Sequence, residues 1–359
     1  MTGEYDTEVL VIGAGQAGLS VGHHLGKAGL DFVLFDAAEE LGQVWRLRWD
    51  SLRLFTSARF ASLPGMPFPG DPERYPLKDE VADYFTEYAA RFDLPVRLDH
   101  RVLSVRPDGD GFEVRARTGT GTVTVRVRQV VIAAGAFQTP VRPAFADELD
   151  SSVTSLHSHE YRNPEQLPPG EVLVVGSGNS GVQIAQELSA DRRVVVSVGS
   201  LGPALPQRFL GRDIFWWLSA VGLMSLRVDS PLGRRLDRPD PLFGADLKAL
   251  FDGERVRRVG RAVRAEGAEI ITEDRERLRP ASVLWATGYR NDWSWLDPAL
   301  LGPEGRPRHT EGIGEHPGLY FLGLYLMRSR GSALTGFVRH DAERIAAAAR
   351  KAAAPRVPR

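Results

Sequence analysis

Two glycine-rich hexapeptides constrain this chain more than any other feature. Gly13-Ala14-Gly15-Gln16-Ala17-Gly18 follows the apolar run Val9–Ile12, and Gly176-Ser177-Gly178-Asn179-Ser180-Gly181 follows Val172–Val175. Each opens a stretch with helix-like spacing that leads to a second apolar run, Phe32–Phe35 in one case and Val194–Val198 in the other. A short continuous apolar run reads as a strand buried on both faces, so each stretch reads as strand–helix–strand with parallel strands. In such a unit the first glycine permits the tight turn and the second lets a pyrophosphate approach the backbone. The third lets helix and strand pack closely, while the helix N-terminus offers free N–H groups and a positive dipole end. A chain of 359 residues has room for two such units. The expected fold class is α/β, with two Rossmann-like dinucleotide-binding domains.

The two units differ at one informative position. Asp36 closes the second strand of the first unit, about 20 residues past the glycines, where an acid accepts hydrogen bonds from ribose hydroxyls. An acid there disfavours a 2′-phosphate, so the first ligand reads as FAD or NAD. The same count in the second unit reaches Gly199, followed by Ser200. Nothing there repels a 2′-phosphate, and no base at 199 or 200 attracts one; Arg192, Arg193 and Arg208 are the nearby bases. NADPH is the expected second ligand, with NADH retained as an alternative. Two sites in one chain suggest a tightly held flavin and an exchanging nicotinamide.

Between the units the pattern changes. Gln43–Asp93 is loop-rich and aromatic, with proline at 64, 67, 69, 72 and 76, and Lys78–Phe92 reads as an amphipathic helix. Val102–Arg128 alternates and turns at Asp108–Gly111 and Gly119–Gly121, the signature of a β-meander. Val130-Val131-Ile132-Ala133-Ala134-Gly135 and Val283-Leu284-Trp285-Ala286-Thr287-Gly288 are short apolar strands ending in small residues, where backbone can approach a cofactor. Pro164–Gly170 is a Pro-rich linker. The expected division is a first part of one domain at 1–165, a second domain at 166–280 and a returning part of the first at 281–359. Pro203–Leu250 reads as irregular.

Composition removes whole classes of chemistry. The chain contains no cysteine, which excludes disulfide frameworks, thiolate zinc sites, iron–sulfur clusters and redox-active cysteine pairs together. A formal net charge of −1 gives no electrostatic reason to bind nucleic acid. No His/Cys/Glu group has metal-ligand spacing, so no metal is expected. The most apolar stretch, Ile214–Leu226, falls short of the ~20 residues of a spanning helix. Met1–Leu10 is polar and acidic rather than signal-like, and Ala346–Arg359 carries no hydrophobic anchor. The expectation is a soluble cytoplasmic protein. His23-His24 reads as a helix-face pair, and Arg339-His340-Asp341 as a solvated face. Trp216-Trp217 reads as core or substrate-channel wall, with a membrane-touching or homodimer patch as the other reading.

These features together resemble the two-dinucleotide-domain flavoproteins and, within them, the class B flavin-dependent monooxygenases of the small bacterial flavin-containing type and the plant YUCCA type. The resemblance covers nearly the whole chain. Besides the two fingerprints it rests on Gly42-Gln43-Val44-Trp45-Arg46, Asp50-Ser51-Leu52-Arg53-Leu54, Leu63–Pro69, Ala286–Tyr289 and Arg330-Gly331-Ser332-Ala333-Leu334. It implies FAD at the first fingerprint (Gly13, Ala14, Gly15, Gln16, Ala17, Gly18, Asp36) and NADPH at the second (Gly176, Ser177, Gly178, Asn179, Ser180, with Gly199 and Ser200). Gln43, Val44, Trp45, Val102, Ala134, Gly135, Ala286, Thr287 and Gly288 complete the candidate cofactor set.

The chain departs from the family pattern in named places. His157 and Tyr161 keep the end of the identifying sequence FxGxxxHxxx(Y/F), while Ser151 and Val153 stand where Phe and Gly belong. Baeyer–Villiger relatives have Trp where Tyr161 sits. YUCCA-type sequences place arginine near Gly199. The first asparagine is Asn163, so Thr56 or Ser57 is the candidate for the hydrogen-bond donor that an asparagine supplies over the flavin elsewhere. The resemblance also implies that His157 orders the hinge between the two domains, formed by the strands Val130–Gly135 and Val283–Gly288. Thr56, Ser57 and His157 are the candidate catalytic residues. The implied activity is reduction of FAD by NAD(P)H, formation of a C4a-(hydro)peroxyflavin with O2, and oxygenation of a small organic substrate at nitrogen, sulfur or a carbonyl. The alternatives are a flavin-linked reductase or oxidase without oxygen insertion, and a non-catalytic flavin- or nucleotide-binding protein.

Overall fold

In the computed structural model, residues 6–235, 241–244 and 246–353 are described. Residues 1–5 and 354–359, on which part of the reading of the two chain ends falls, lie outside the described residues. So do 236–240 and 245, within the stretch expected to be irregular.

The strand Thr7–Ile12 sits inside a nine-stranded sheet, paired in parallel with Phe32–Phe35 on one side and Gly121–Ile132 on the other. Val9, Leu10, Val11, Leu34 and Phe35 are buried, as a strand covered on both faces requires. The helix Gln16–Lys27 crosses over between the first two strands. Gly121–Ile132 serves two layers, and its burial shows the change. It alternates where it pairs antiparallel with Gly111–Thr118, and it is continuously buried from Gln129 where it enters the parallel layer. Gly111–Thr118 pairs in turn with Arg101–Asp108, giving the β-meander at the expected turns. Leu319–Phe321 lies parallel to Val130–Ile132, and the helix Arg339–Ala353 packs on Gln16–Lys27. The first unit is therefore assembled from both ends of the chain.

The second sheet has five parallel strands in the order Val256–Val259, Val194–Ser197, Val172–Val175, Ser282–Trp285, Thr154–His157. Thr154–His157 and Ser282–Trp285 pair with each other here, so divisions after 165 and 280 leave each apart from the sheet it completes. We propose the crossings at 133–153 and 286–318 instead. These two connections run side by side, with Thr139–Pro140 antiparallel to Tyr289–Arg290.

The stretch expected to be irregular is anchored by aromatic packing. Phe215, on the helix Ile214–Ala220, packs against Phe55, Phe60, Phe243 and Phe337, so the second unit's excursion is fastened to the first. Trp216 and Trp217 are half-buried beside it, the Trp217 indole donating to the Phe209 carbonyl at 2.8 Å. His23 is buried edge-on to Phe92 at 4.4 Å, with its pKa lowered to about 4 chiefly by burial, which fits the packing role expected of it. Asp341 corrects the expectation of a solvated face: it is buried and lies 3.6 Å from the Arg328 guanidinium. Among the described residues no helix is long and apolar enough to cross a membrane, and no group of His, Cys, Asp or Glu could hold a metal ion.

Candidate functional site

The two fingerprints fold into the same cradle. At Gly13 the backbone has φ +103°, and a Cβ there would overlap the Ala133 carbonyl. At Gly176 φ is +112°, and a Cβ would overlap the Ala286 carbonyl. The third glycines, Gly18 and Gly181, leave no room beside the carbonyls of Gly13 and Gly176. The middle glycines, Gly15 and Gly178, face open space, with no atom within 4 Å of the place a Cβ would take. Each middle glycine is the residue preceding a helix, Gln16–Lys27 or Asn179–Leu188, so its open side lies where the helix presents unpaired N–H groups. These are places that a pyrophosphate fits and a side chain would block. The small residues after both hinge strands, Ala133-Ala134-Gly135 and Ala286-Thr287-Gly288, are the other wall, and Gly135 and Gly288 both have positive φ with open space beside them.

Asp36 stands at the first cradle. Its carboxylate accepts the Ala14 N–H at 2.6 Å and the Ala38 N–H at 2.9 Å, which fixes it beside the fingerprint turn. In the second cradle Ser177 reaches across instead, its hydroxyl donating to the Ser200 carbonyl at 2.8 Å. The Asn179 amide is occupied by the protein itself: it donates to the Pro241 carbonyl and accepts the Phe243 N–H. Ala17 packs against Gly323, and the Gln16 amide donates to the Ala333 carbonyl at 3.5 Å. That bond brings the Arg330–Leu334 loop to the first helix.

Gln43, Val44 and Trp45 lie on a one-turn helix that begins after Gly42, whose positive φ lets the backbone press against Ala82. The Trp45 indole N–H is buried without a partner among the described residues. Val102 lies in the meander opposite Ala116, at a bulge.

Thr56 and Ser57 are buried in the loop between Phe55 and the turn Ala58–Phe60. The Ser57 N–H donates to Asp213 Oδ2 at 3.2 Å, and its buried hydroxyl approaches the same carboxylate, with no other partner among the described residues. Asp213 also accepts the Phe215 N–H at 2.7 Å, capping the helix Ile214–Ala220. Burial raises the Asp213 carboxyl above its ordinary pKa. Tyr75 is pushed up to about 12, first by burial and then by the Asp213 charge. The Gln207 amide donates to the Phe55 carbonyl at 2.7 Å, a second stitch across the same seam. Sequence reading missed this group. Asp213 before an apolar helix is an N-cap signal, but nothing in the sequence links it to Ser57.

His157 is buried, and its ring is held by backbone on both sides. Nδ1 accepts the His159 N–H at 3.0 Å, so Nε2 carries the proton and donates to the Gly288 carbonyl at 3.2 Å. Its pKa is lowered to about 4, chiefly by burial. Thr287 is likewise occupied, its hydroxyl donating to the Val141 carbonyl. Tyr289 receives the Arg48 guanidinium on its hydroxyl, which ties the Gln43–Arg48 segment to the second hinge.

The fold and this pair of cradles define a class: an oxidoreductase built on two dinucleotide folds, using a flavin and a nicotinamide coenzyme. The family of pyridine nucleotide-disulphide oxidoreductases matches residues 10–203. The CzcO-like oxidoreductase of Geobacillus kaustophilus is 42% identical over 342 residues, covering 95% of this chain and 97% of that one. The probable indole-3-pyruvate monooxygenase YUCCA9 of Arabidopsis thaliana is 30% identical, covering 80% of this chain and 76% of that one. The solved flavin-containing monooxygenase from Stenotrophomonas maltophilia superposes with a TM-score of 0.80 at 25% identity, covering 96% and 98% of the two chains. The chain belongs to the pyridine nucleotide-disulphide oxidoreductase family, and within it to the class B flavin monooxygenases. It is an enzyme of oxidation and reduction, and without cysteine it has no disulphide chemistry of its own.

Proposed function

We propose that the protein is an FAD- and NADPH-dependent monooxygenase that oxygenates a small organic molecule at nitrogen, sulfur or a carbonyl. The observation that carries this reading is the matched pair of open cradles, at Gly15 and at Gly178, each backed by its own hinge strand. Bound FAD, reduced by NADPH, supplies the activation of O2.

The chain's own residues then have four tasks. Gly13–Gly18 and the helix after it receive the FAD pyrophosphate, and Asp36 its ribose. Gly176–Gly181 receive the nicotinamide dinucleotide. Ser57, whose buried hydroxyl lies by the Asp213 carboxylate with no other partner among the described residues, would offer a hydrogen-bond donor to the flavin, and Asp213 holds the loop that carries it. Phe55, Phe60, Phe215, Phe243 and Phe337 form a dry wall beside that loop, which excludes water from the reacting atoms. His157 has no free ring nitrogen, and its task is to fix the Gly288 turn.

The test uses purified protein loaded with FAD. Anaerobic NADPH should bleach the flavin. On admitting labelled O2 with an amine, a thioether, a ketone or a 2-oxo acid such as indole-3-pyruvate, one substrate should gain a single labelled oxygen atom. Peroxide matching NADPH consumption with every substrate would replace this reading with an oxidase, and protein that cannot take up FAD would replace it with a nucleotide-binding scaffold.

A further inference from the structure

The second cradle has no acid at the end of its second strand, and a side chain from the neighbouring strand's end lies over that place. In register, Ser197 corresponds to Phe35 and Val198 to Asp36, so Gly199 lies one residue past the place of the ribose acid, just beyond the strand Val194–Ser197. A Cβ on residue 199 would stand 2.8 Å from Nη2, 2.9 Å from Cζ and 3.0 Å from Nε of Arg261. The guanidinium face therefore lies over the end of that strand, beside the residue that follows the acid's place.

Arg261 is held there by its backbone. The Ser197 hydroxyl donates to the Gly260 carbonyl at 3.0 Å and accepts the Ala262 N–H at 2.8 Å, so the two neighbours of Arg261 are pinned to the end of the strand. The Arg261 N–H donates to Glu273, and its carbonyl accepts the Glu273 N–H at 2.8 Å. The Asp274 carboxylate, the other acid of that turn, takes the Thr272 hydroxyl. The Arg261 side chain is exposed, and its guanidinium has no hydrogen bond or ion pair among the described residues. Its charge stands beside the acid-free end of the second strand in the second cradle.

We propose that Arg261 is the residue that recognises the 2′-phosphate of the coenzyme and that Gly199 is glycine because any side chain would displace it. The inference rests on the reading of the second cradle as the nicotinamide site. A guanidinium meets a phosphate monoester in two parallel hydrogen bonds, a geometry that a lone ammonium does not reproduce. The strand that ordinarily carries the phosphate ligand needs none of its own, because the neighbouring strand's end brings one over.

The test measures binding of NADP+, NAD+ and adenosine 2′,5′-bisphosphate to the FAD-loaded protein by titration calorimetry. The wild type should bind NADP+ more tightly than NAD+. Arg261→Gln should weaken NADP+ and the bisphosphate by roughly tenfold to a hundredfold, with NAD+ held within about twofold. Arg261→Lys should recover part of the loss. Gly199→Ala leaves Arg261 in the sequence but crowds its guanidinium, and should weaken NADP+ selectively as well. Equal loss of NAD+ and NADP+ in Arg261→Gln, or no loss of either, overturns the proposal. So does a wild type that binds both coenzymes equally. A wild type that binds FAD but neither coenzyme overturns the second-site reading itself, and that failure is visible before any variant is made.

Discussion

The backbone N–H of Ser57 donates to Asp213 across the seam between the two units, 3.2 Å from nitrogen to Oδ2. One buried carboxylate thus does two jobs, capping the helix Ile214–Ala220 and holding the loop that carries Thr56 and Ser57. Asp213→Ala removes an N-cap worth about 1 kcal/mol. It also leaves the Ser57 N–H buried without an acceptor, at about 1–3 kcal/mol. The expected sum is a loss of about 2–4 kcal/mol, read by urea denaturation of FAD-loaded protein.

The same carboxylate has a pH signature. Burial raises its pKa above 3.8, so the native state keeps a proton that the unfolded chain has already released. That contribution to stability is full below 3.8 and falls as pH rises through the raised value. The stability difference between wild type and Asp213→Asn should shift against the wild type across that window and level off above it. A difference independent of pH would contradict the buried, raised carboxyl.

His157 predicts the opposite slope. Its pKa is lowered from 6.5 to about 4, so stability from the neutral ring is full above 6.5 and is lost as pH falls through about 4. His157→Ala should flatten that acid limb and cost about 2 kcal/mol through the Gly288 carbonyl and His159 N–H left unpaired. Because the ring stays neutral at pH 7, no inflection of kcat near 6.5 should vanish in this variant; one that does would make His157 a proton-transfer group.

The fingerprint glycines separate folding from binding. Gly13→Ala should fail to give soluble protein, since its Cβ meets the Ala133 carbonyl in a backbone conformation with φ +103°. Gly15→Ala should fold, because nothing stands within 4 Å of the added atom. It should nonetheless lose FAD affinity by tenfold or more, because the added methyl occupies the pyrophosphate approach. Flavin content after purification and the melting temperature of the apoprotein distinguish the two.

Ser57→Ala tests the buried hydroxyl. With no hydrogen bond of its hydroxyl among the described residues beyond its approach to the Asp213 carboxylate, its removal should change the stability of the apoprotein by no more than about 1 kcal/mol. In the FAD-loaded enzyme it should lower the product formed per NADPH and raise peroxide. An unchanged ratio would remove Ser57 from the oxygen-transfer site.

Local sequence determined the parts whose physics is local. The two turns at Gly13 and Gly176 were legible because a strand-to-helix turn that admits a pyrophosphate needs glycine at fixed spacing, and Asp36 because its distance from those glycines is set by one helix and one strand. The β-meander was legible because a half-buried strand alternates. What the sequence left open is contact between segments far apart in the chain. Thr154–His157 joined the second sheet by pairing with Ser282–Trp285, a partner that short apolar runs do not specify. Asp213 met Ser57 because an aromatic cluster drew the 203–250 stretch onto the first unit. Arg261 came to lie over Gly199 because two parallel strands end side by side, Val194–Ser197 beside Val256–Val259. A turn is decided by the residues that form it; a charge above an empty glycine is decided by which strands lie next to each other.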